Sequence, residues 1–314
     1  MKLQTAFALL FASTVLSGTA RVVAAPVDAT IGTVTYVEGD VHSTTGSTTP
    51  TVLSLGAAVH SGDTLRTGAI GEAHLEMTDG GFIALRPNTT FRLDSYSAVG
   101  ETTDSEAFSL LNGAIRSITG WIGKLNPEGY RLQTPTATIG IRGTDHETVY
   151  ISPESAVDDE TSGTYDRVNS GATSVQTAQG TVNVAAGQAA HVPHGAAPAP
   201  RLLDKPPAFL NRRRTRNEAR VIAYSAQIRQ HIEARLQARG LLKSGEHAHD
   251  YFYRKHRDRK QRGLSRNGAH RIGAARAGLG RRNPLRAERD GDAVRFRPPQ
   301  SRSSPRLRAQ AHGS

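Results

Sequence analysis

The densest grouping of chemically capable side chains is Asp145-His146-Glu147. Neighbours in a strand point to opposite faces, so Asp145 and Glu147 can converge while His146 looks away. Two carboxylates on one face are the raw material of acid–base chemistry on glycosides. No run of aromatic residues suited to a sugar subsite lies nearby, and a solvated pair is the simpler reading. Acidic residues recur at Glu154 and Asp158-Asp159-Glu160, where hard oxygen ligands could hold calcium. The alternation and closing glutamate of a calcium loop are missing, so residues 152–174 read as a long polar surface loop. His191 and His194 stand three apart in a segment containing proline and glycine, too little for a metal site. Gly-x-Ser-x-Gly, His-Glu-x-x-His and phosphate-loop patterns do not occur. The chain has no cysteine, which excludes thiolate ligands and cysteine nucleophiles. A non-enzymatic chain with no catalytic residue, cofactor or metal is expected.

The elements that would hold these residues are short and punctuated by glycine. Turns and strands follow each other through Gly62-Asp63-Thr64-Leu65-Arg66-Thr67-Gly68, through Thr78-Asp79-Gly80-Gly81, and through Thr134-Pro135-Thr136-Ala137-Thr138-Ile139-Gly140-Ile141-Arg142-Gly143-Thr144. The pieces between the turns are too short and too β-branched for helices. Ala73-His74-Leu75-Glu76-Met77 alternates with period two and stops at Asp79-Gly80. Phe108 to Ile115 reads as a strand, a turn at Asn112-Gly113 and the start of another strand. Gly140 and Gly143 bracket Ile141 and Arg142, which suggests a tight turn. Arg142 would then satisfy turn carbonyls or pair with Asp145 or Glu147; the alternative is a recognition arginine on the surface. The expected fold is all-β, either solenoid-like or an irregular β-sandwich, and the spacing does not choose between them.

Charge divides the chain. Its net +11 is the sum of −9 over residues 1–200 and +20 over residues 201–314. Met1-Lys2, the apolar segment Ala6 to Leu16 and the small residues Gly18 and Ala20 follow the pattern of a secretory signal peptide, expected over residues 1–24. That apolar run is shorter than the roughly 20 residues of a spanning helix, and no later segment reaches that length. The β-domain is expected over residues 27–195, followed by a Pro/Ala linker at 196–207. In the segment 208–240, Val221, Tyr224, Ile228, Ile232 and Leu236 recur at helical spacing and form one stripe of an amphipathic helix. Residues 241–314 form a basic tail, expected to be largely disordered. The tail is a candidate for contact with anionic lipid or lipopolysaccharide. Tyr251-Phe252-Tyr253 could stack on bases, but no nucleic-acid-binding motif accompanies them, and nucleic acid is disfavoured as a partner.

Residues 31–150 resemble the FecR domain family. The resemblance rests on Val37-Glu38-Gly39-Asp40-Val41, the Gly62-to-Gly68 stretch, the run from Leu75 to Thr89, Gly113-Ala114-Ile115 and the Thr134-to-Thr144 stretch. It implies an all-β module of envelope signalling or scaffolding without an active site. Its motif positions here are Gly62, Asp63, Thr67, Gly68, Asp79, Gly80, Pro135, Gly140, Arg142, Gly143 and Thr144. In the family's regulators a membrane helix joins the domain to a cytoplasmic anti-sigma segment; here a signal peptide is expected in that place, and the chain resembles stand-alone exported members. The expectation is a periplasmic or secreted module that binds an envelope protein or acts as a scaffold. The alternative is an accessory sensor contacting a membrane-bound regulator or receptor.

Overall fold

The computed structural model describes residues 29–46, 48–157, 161–196, 198–212 and 217–261. The signal peptide read over residues 1–24, the acidic cluster 158–160 and the tail beyond residue 261 lie outside the described residues.

Short alternating segments form seventeen strands among the described residues, arranged in two layers. The first layer runs β4 (Ala58–His60), β1 (Thr30–Glu38), β6 (Glu72–Met77), β7 (Phe82–Leu85), β9 (Ser105–Ile118), β12 (Asp145–Ile151), β13 (Gly163–Ser170), β16 (Ala189–Pro193) and β17 (Arg201–Leu203). Every neighbouring pair in it is antiparallel. The second runs β3 (Thr51–Val52), β2 (Val41–Thr45), β5 (Asp63–Thr67), β8 (Thr90–Ser97), β9 again, β10 (Tyr130–Gln133), β11 (Thr138–Ile141), β14 (Ala172–Thr177) and β15 (Gly180–Ala185). Within it β9–β10 is parallel and the other pairings are antiparallel. Val34, Leu75 and Ile115 of the first layer share one buried core with Leu65, Phe108 and Ile139 of the second. A solenoid stacks successive turns in parallel. Antiparallel layers closing on one core make this the irregular sandwich of the two expected forms.

Strand β9 belongs to both layers. Its first half pairs with β8 and β10, and its second half, from Gly113, pairs with β12 and β7. The change of layer falls at Gly113, whose φ is +92°. A Cβ there would stand 2.6 Å from the Asn88 carbonyl oxygen. Thr89 Oγ1 bonds both the N–H and the C=O of Ala114, 3.0 Å each, and so closes the backbone beside the bend. The turn expected at Asn112-Gly113 is therefore a bend inside one strand.

Residues 152–174 also differ from the expected surface loop, because Gly163–Ser170 is strand β13 between β12 and β16. Its polar composition was misleading. Asp166 is fully buried and accepts bonds from Thr148 Oγ1 at 2.8 Å and from Thr173 Oγ1, with His146 Nδ1 at 2.8 Å.

The α-helices among the described residues are α1 (Ile122–Leu125), α2 (Phe209–Arg212), α3 (Glu218–Ala238) and α4 (248–261). Helices α2 and α3 cover the outer face of the first layer, and α1 and α4 pack against the later turns of α3. From α3, Val221 packs on Phe82, Ala84 and Ile118, while Ile232 and Leu236 meet Trp121, Ile122 and, from α4, Ala248 and Tyr251. The stripe at helical spacing is thus the helix's docking face. The part of the basic tail up to residue 261 is packed through Tyr251, whose hydroxyl donates to the Gly100 carbonyl. Among the described residues no helix is long and apolar enough to cross a membrane.

Candidate functional site

The outer face of the second layer floors a cleft of about 1570 Å³. Strand alternation sends Leu132, Ile139 and Val175 into the core and Gln133, Thr138 and Gln176 outward. Register aligns the outward residues into a row, with Gln133 opposite Ser109 and Thr138, and Thr138 opposite Gln176. One end is closed by the Thr134–Ala137 turn, where Thr134 Oγ1 accepts from the Ala137 N–H at 3.0 Å and Pro135 forms the tip. The Thr134 and Thr136 hydroxyls both meet Thr164 Oγ1, at 2.7 and 2.6 Å. Gly140 lies in β11 and keeps the floor low, since a Cβ there would stand 2.9 Å from Ser174 Oγ. Gly143 forms the turn after β11 with φ +62°, and Lys124 Nζ lies 2.8 Å from where its Cβ would be.

The walls are basic. Lys124, Arg131, Arg142 and Arg259 line the cleft, with His194 beside them, and Glu128 is the single lining carboxylate. Among the described residues no ion pair engages these four cations. Desolvation and the neighbouring Arg229 push the Lys124 ammonium below its usual range.

The trio on β12 is spent elsewhere. Asp145 and Glu147 share the outer face of that strand and His146 the inner one. Arg116 grips Asp145 with Nε at 2.8 Å and Nη2 at 2.7 Å, and also pairs with Glu218 of α3. Ser225 of α3 donates to Asp145 at 2.6 Å and Asn169 at 3.1 Å. Burial opposes the Asp145 charge, but the Arg116 bonds outweigh it and hold the carboxyl below its usual range. Glu147 faces Arg86 at 3.5 Å and Arg167 at 3.6 Å. Arg86 is 1% exposed, and its three guanidinium nitrogens lack hydrogen bonds among the described residues. Burial lowers its basicity, against the pull of Glu147. His146 is held between Asp166 and the Tyr130 hydroxyl, the latter at 3.1 Å. None of the three lines the cleft.

Of the places read for Arg142, against turn carbonyls, against Asp145 or Glu147, or on the surface, the structure shows it exposed in the cleft. Strand β11 belongs to the second layer and β12 to the first, so the turn at Gly143 separates Arg142 from both carboxylates. The carboxylates' partners, Arg116 of β9, Arg167 of β13 and Arg86 just after β7, come from other parts of the chain and escaped a reading of near neighbours.

The remaining motif residues lie in three other places. At the far end, Gly62 turns with φ +92° and the buried Asp63 accepts from the His60 N–H at 2.8 Å. Thr67 Oγ1 donates to the Arg86 carbonyl at 2.6 Å and accepts from the Thr89 N–H at 2.8 Å. The Gly68 N–H reaches the Asp40 carbonyl at 2.8 Å. Beneath α3, Asp79 accepts from the Gly81 N–H at 2.8 Å and the Ile122 N–H at 3.3 Å, and burial pushes its carboxyl up. A Cβ on Gly80 would stand 3.0 Å from Ile232 Cα, so glycine lets α3 close on this turn. Thr144 donates its N–H to Thr119 Oγ1 at 2.9 Å, between the layers' strands. The cleft gathers only Pro135, Gly140, Arg142 and Gly143 of the motif. His191, stacked on Tyr165, is pushed down to about 4 by burial and by Arg201. Among the described residues no group of three or more His, Asp or Glu side chains is placed to hold a metal ion.

Residues 63–183 match the profile of the family described as FecR protein. No curated protein matches the chain. Two crystal structures of a candidate anti-sigma factor from Parabacteroides distasonis ATCC 8503, at 1.65 and 2.50 Å resolution, each align at 10% identity with a TM-score of 0.36. Each alignment covers 47% of this chain, and the chain spans 62% of the length of those structures.

Proposed function

With residues 63–183 a FecR domain, we propose that the chain is a non-enzymatic binding or scaffold module of the cell envelope that engages its partner through the basic cleft. The family is one of envelope-signalling regulation. The observation that carries the reading is the division of labour between two faces. The side chains that resemble a catalytic trio are engaged inside the fold, Asp145 and Glu147 with arginines on the outer face of β12 and His146 with Asp166 on its inner face, while residues 134–143 line an open cleft. Export through residues 1–24 would place the module outside the cytoplasm. The basic stretch over residues 201–314 would add an electrostatic contact with anionic lipid or lipopolysaccharide, weakened by salt.

In vivo photo-crosslinking of the full chain tests the reading, with the reactive side chain at position 142 in the cleft and, as the comparison, at the exposed position 66 on β5. Capture of an envelope component from position 142 alone is the expected result. Equal capture from both positions, or capture of cytoplasmic components only, would overturn it.

A further inference from the structure

The cleft's lining points beyond a generic partner. We propose that it binds an acidic polysaccharide lying across the strands, an inference that rests on the cleft being the module's binding element. Lys124, Arg131, Arg142 and Arg259 take the anionic groups of the chain, and the Gln133-Thr138-Gln176 row takes its hydroxyls.

Charge complementarity is the first argument. Four cations face one lining carboxylate, and they have no ion-pair partner among the described residues. Elsewhere in the molecule, carboxylates meet arginines closely, as Asp145 meets Arg116 and Glu246 meets Arg254. The adjacent Lys124 and Arg229 repel each other, a cost that an incoming anion removes. Arginine at such a site can grip carboxylate or phosphate with two parallel bonds.

The floor supplies the second argument. Neighbouring strands stand about 4.8 Å apart, so the row offers an amide or hydroxyl at each step of a ladder whose rung is close to the length of one pyranose unit. A sugar chain crossing the strands would meet one such group per ring. An acidic peptide has no comparable hold. Peptides join sheets at an edge through main-chain bonds, and here β10 and β11 are each paired on both sides. Single-stranded nucleic acid relies on aromatic platforms. The one aromatic residue in the lining, Tyr130, is turned into the core.

The anionic group can be carboxylate or phosphate, and the test separates them. Binding of the full chain to polygalacturonate, phosphorylated dextran, plain dextran and polyglutamate is measured by isothermal titration. Residues 202–314 attract any polyanion, so each variant keeps them. Arg131→Gln/Arg142→Gln is compared with Arg66→Gln/Arg201→Gln, which removes equal charge from exposed positions outside the cleft. Two exposed charge pairs of ordinary strength together give a loss of about tenfold, expected for the first pair with one or both anionic sugars. A loss below about twofold is expected for the second. Gln133→Ala/Gln176→Ala should weaken the anionic sugar about tenfold, the ratio for two modest hydrogen bonds, and leave polyglutamate unaffected. Preference for phosphorylated dextran identifies phosphate as the recognised group, and preference for polygalacturonate identifies carboxylate. Equal losses in the two arginine pairs, or polyglutamate held as tightly as the sugars, would overturn the inference. If sugar binding ignores the cleft while crosslinks from position 142 capture an envelope protein, the ligand class falls and the binding module stands. If position 142 also captures nothing specific, both fall.

Discussion

Replacing Arg116 by methionine removes a charge and keeps most of the apolar stem. It leaves Asp145 and Glu218 in a layer where Arg116 is 5% and Asp145 4% exposed. Taking one partner from a buried ion pair costs about 3–5 kcal/mol. Asp145 retains its bonds from Ser225 and Asn169, which places the expected loss near the lower bound, about 3 kcal/mol. The pH dependence follows from the sign of the shift. In the native fold the Asp145 pKa is lowered, so its contribution is present above the unfolded carboxylate pKa and is lost as pH falls through the folded value. Without Arg116, burial governs and the folded pKa moves above the unfolded one. The charge then destabilises the fold as pH rises through that window. Urea denaturation of the full chain at neutral pH and near about pH 5, with Arg116→Met, Asp145→Asn and the double variant, measures this. The single-variant deficit should shrink on acidification, and the double variant should lose less than the sum of the two. A deficit below about 1 kcal/mol that is independent of pH and additive with Asp145→Asn would refute the account of Asp145 as a structural anion.

Two other predictions concern stability. Burial and the nearby Asp79 push the Glu106 carboxyl well above its usual range. Stability from this group is complete below its unfolded pKa, about 4.3, and falls as pH rises towards the folded value, so Glu106→Gln should gain on the native chain in urea midpoint between mildly acidic and alkaline pH. A pH-independent gap would contradict this. Gly113 and Gly62 share a φ of +92°, but a Cβ on Gly62 meets nothing within 4 Å. Gly62→Ala should therefore cost about 1 kcal/mol and Gly113→Ala about 3 kcal/mol or the fold itself; equal losses in thermal unfolding would remove the steric account of the bend.

Much of the layered fold was legible because it depends on period and punctuation. Leu132, Ile139 and Val175 announce their strands by alternation with polar neighbours, and the stripe from Val221 to Leu236 announces the helix after the sheet domain by its spacing. The polar residues were harder to read, because the sequence does not say what covers a face. Ala73-His74-Leu75-Glu76-Met77 looks like a strand with a wet side, yet His74 is fully buried because α3 lies over that side. Asp166 made β13 look like loop for the same reason. In the cleft, Arg131 and Gln133 carried a signal, polar residues on one face of an alternating strand, but Arg259 arrives from a helix far along the sequence and Lys124 from a short helix outside the strand pattern, so no alternation links them to Arg142.

The charged face under α3 also bears on how the chain is made. The residues that cover it come late: Arg116 waits for Glu218, 102 residues further on, and Thr35 for Arg220, 185 residues on. At a synthesis rate of roughly 5–20 residues per second, the stretch from Leu203, where the last strand of the first layer ends, to Ala238, where α3 ends, takes about 2–7 s. An apolar face exposed for that long would invite other unfinished chains to stick to it. Glu72, His74, Arg116, Asp145 and Glu147 let it stay hydrated until its cover arrives. The polar residues that complicate the finished sandwich thus protect the unfinished one.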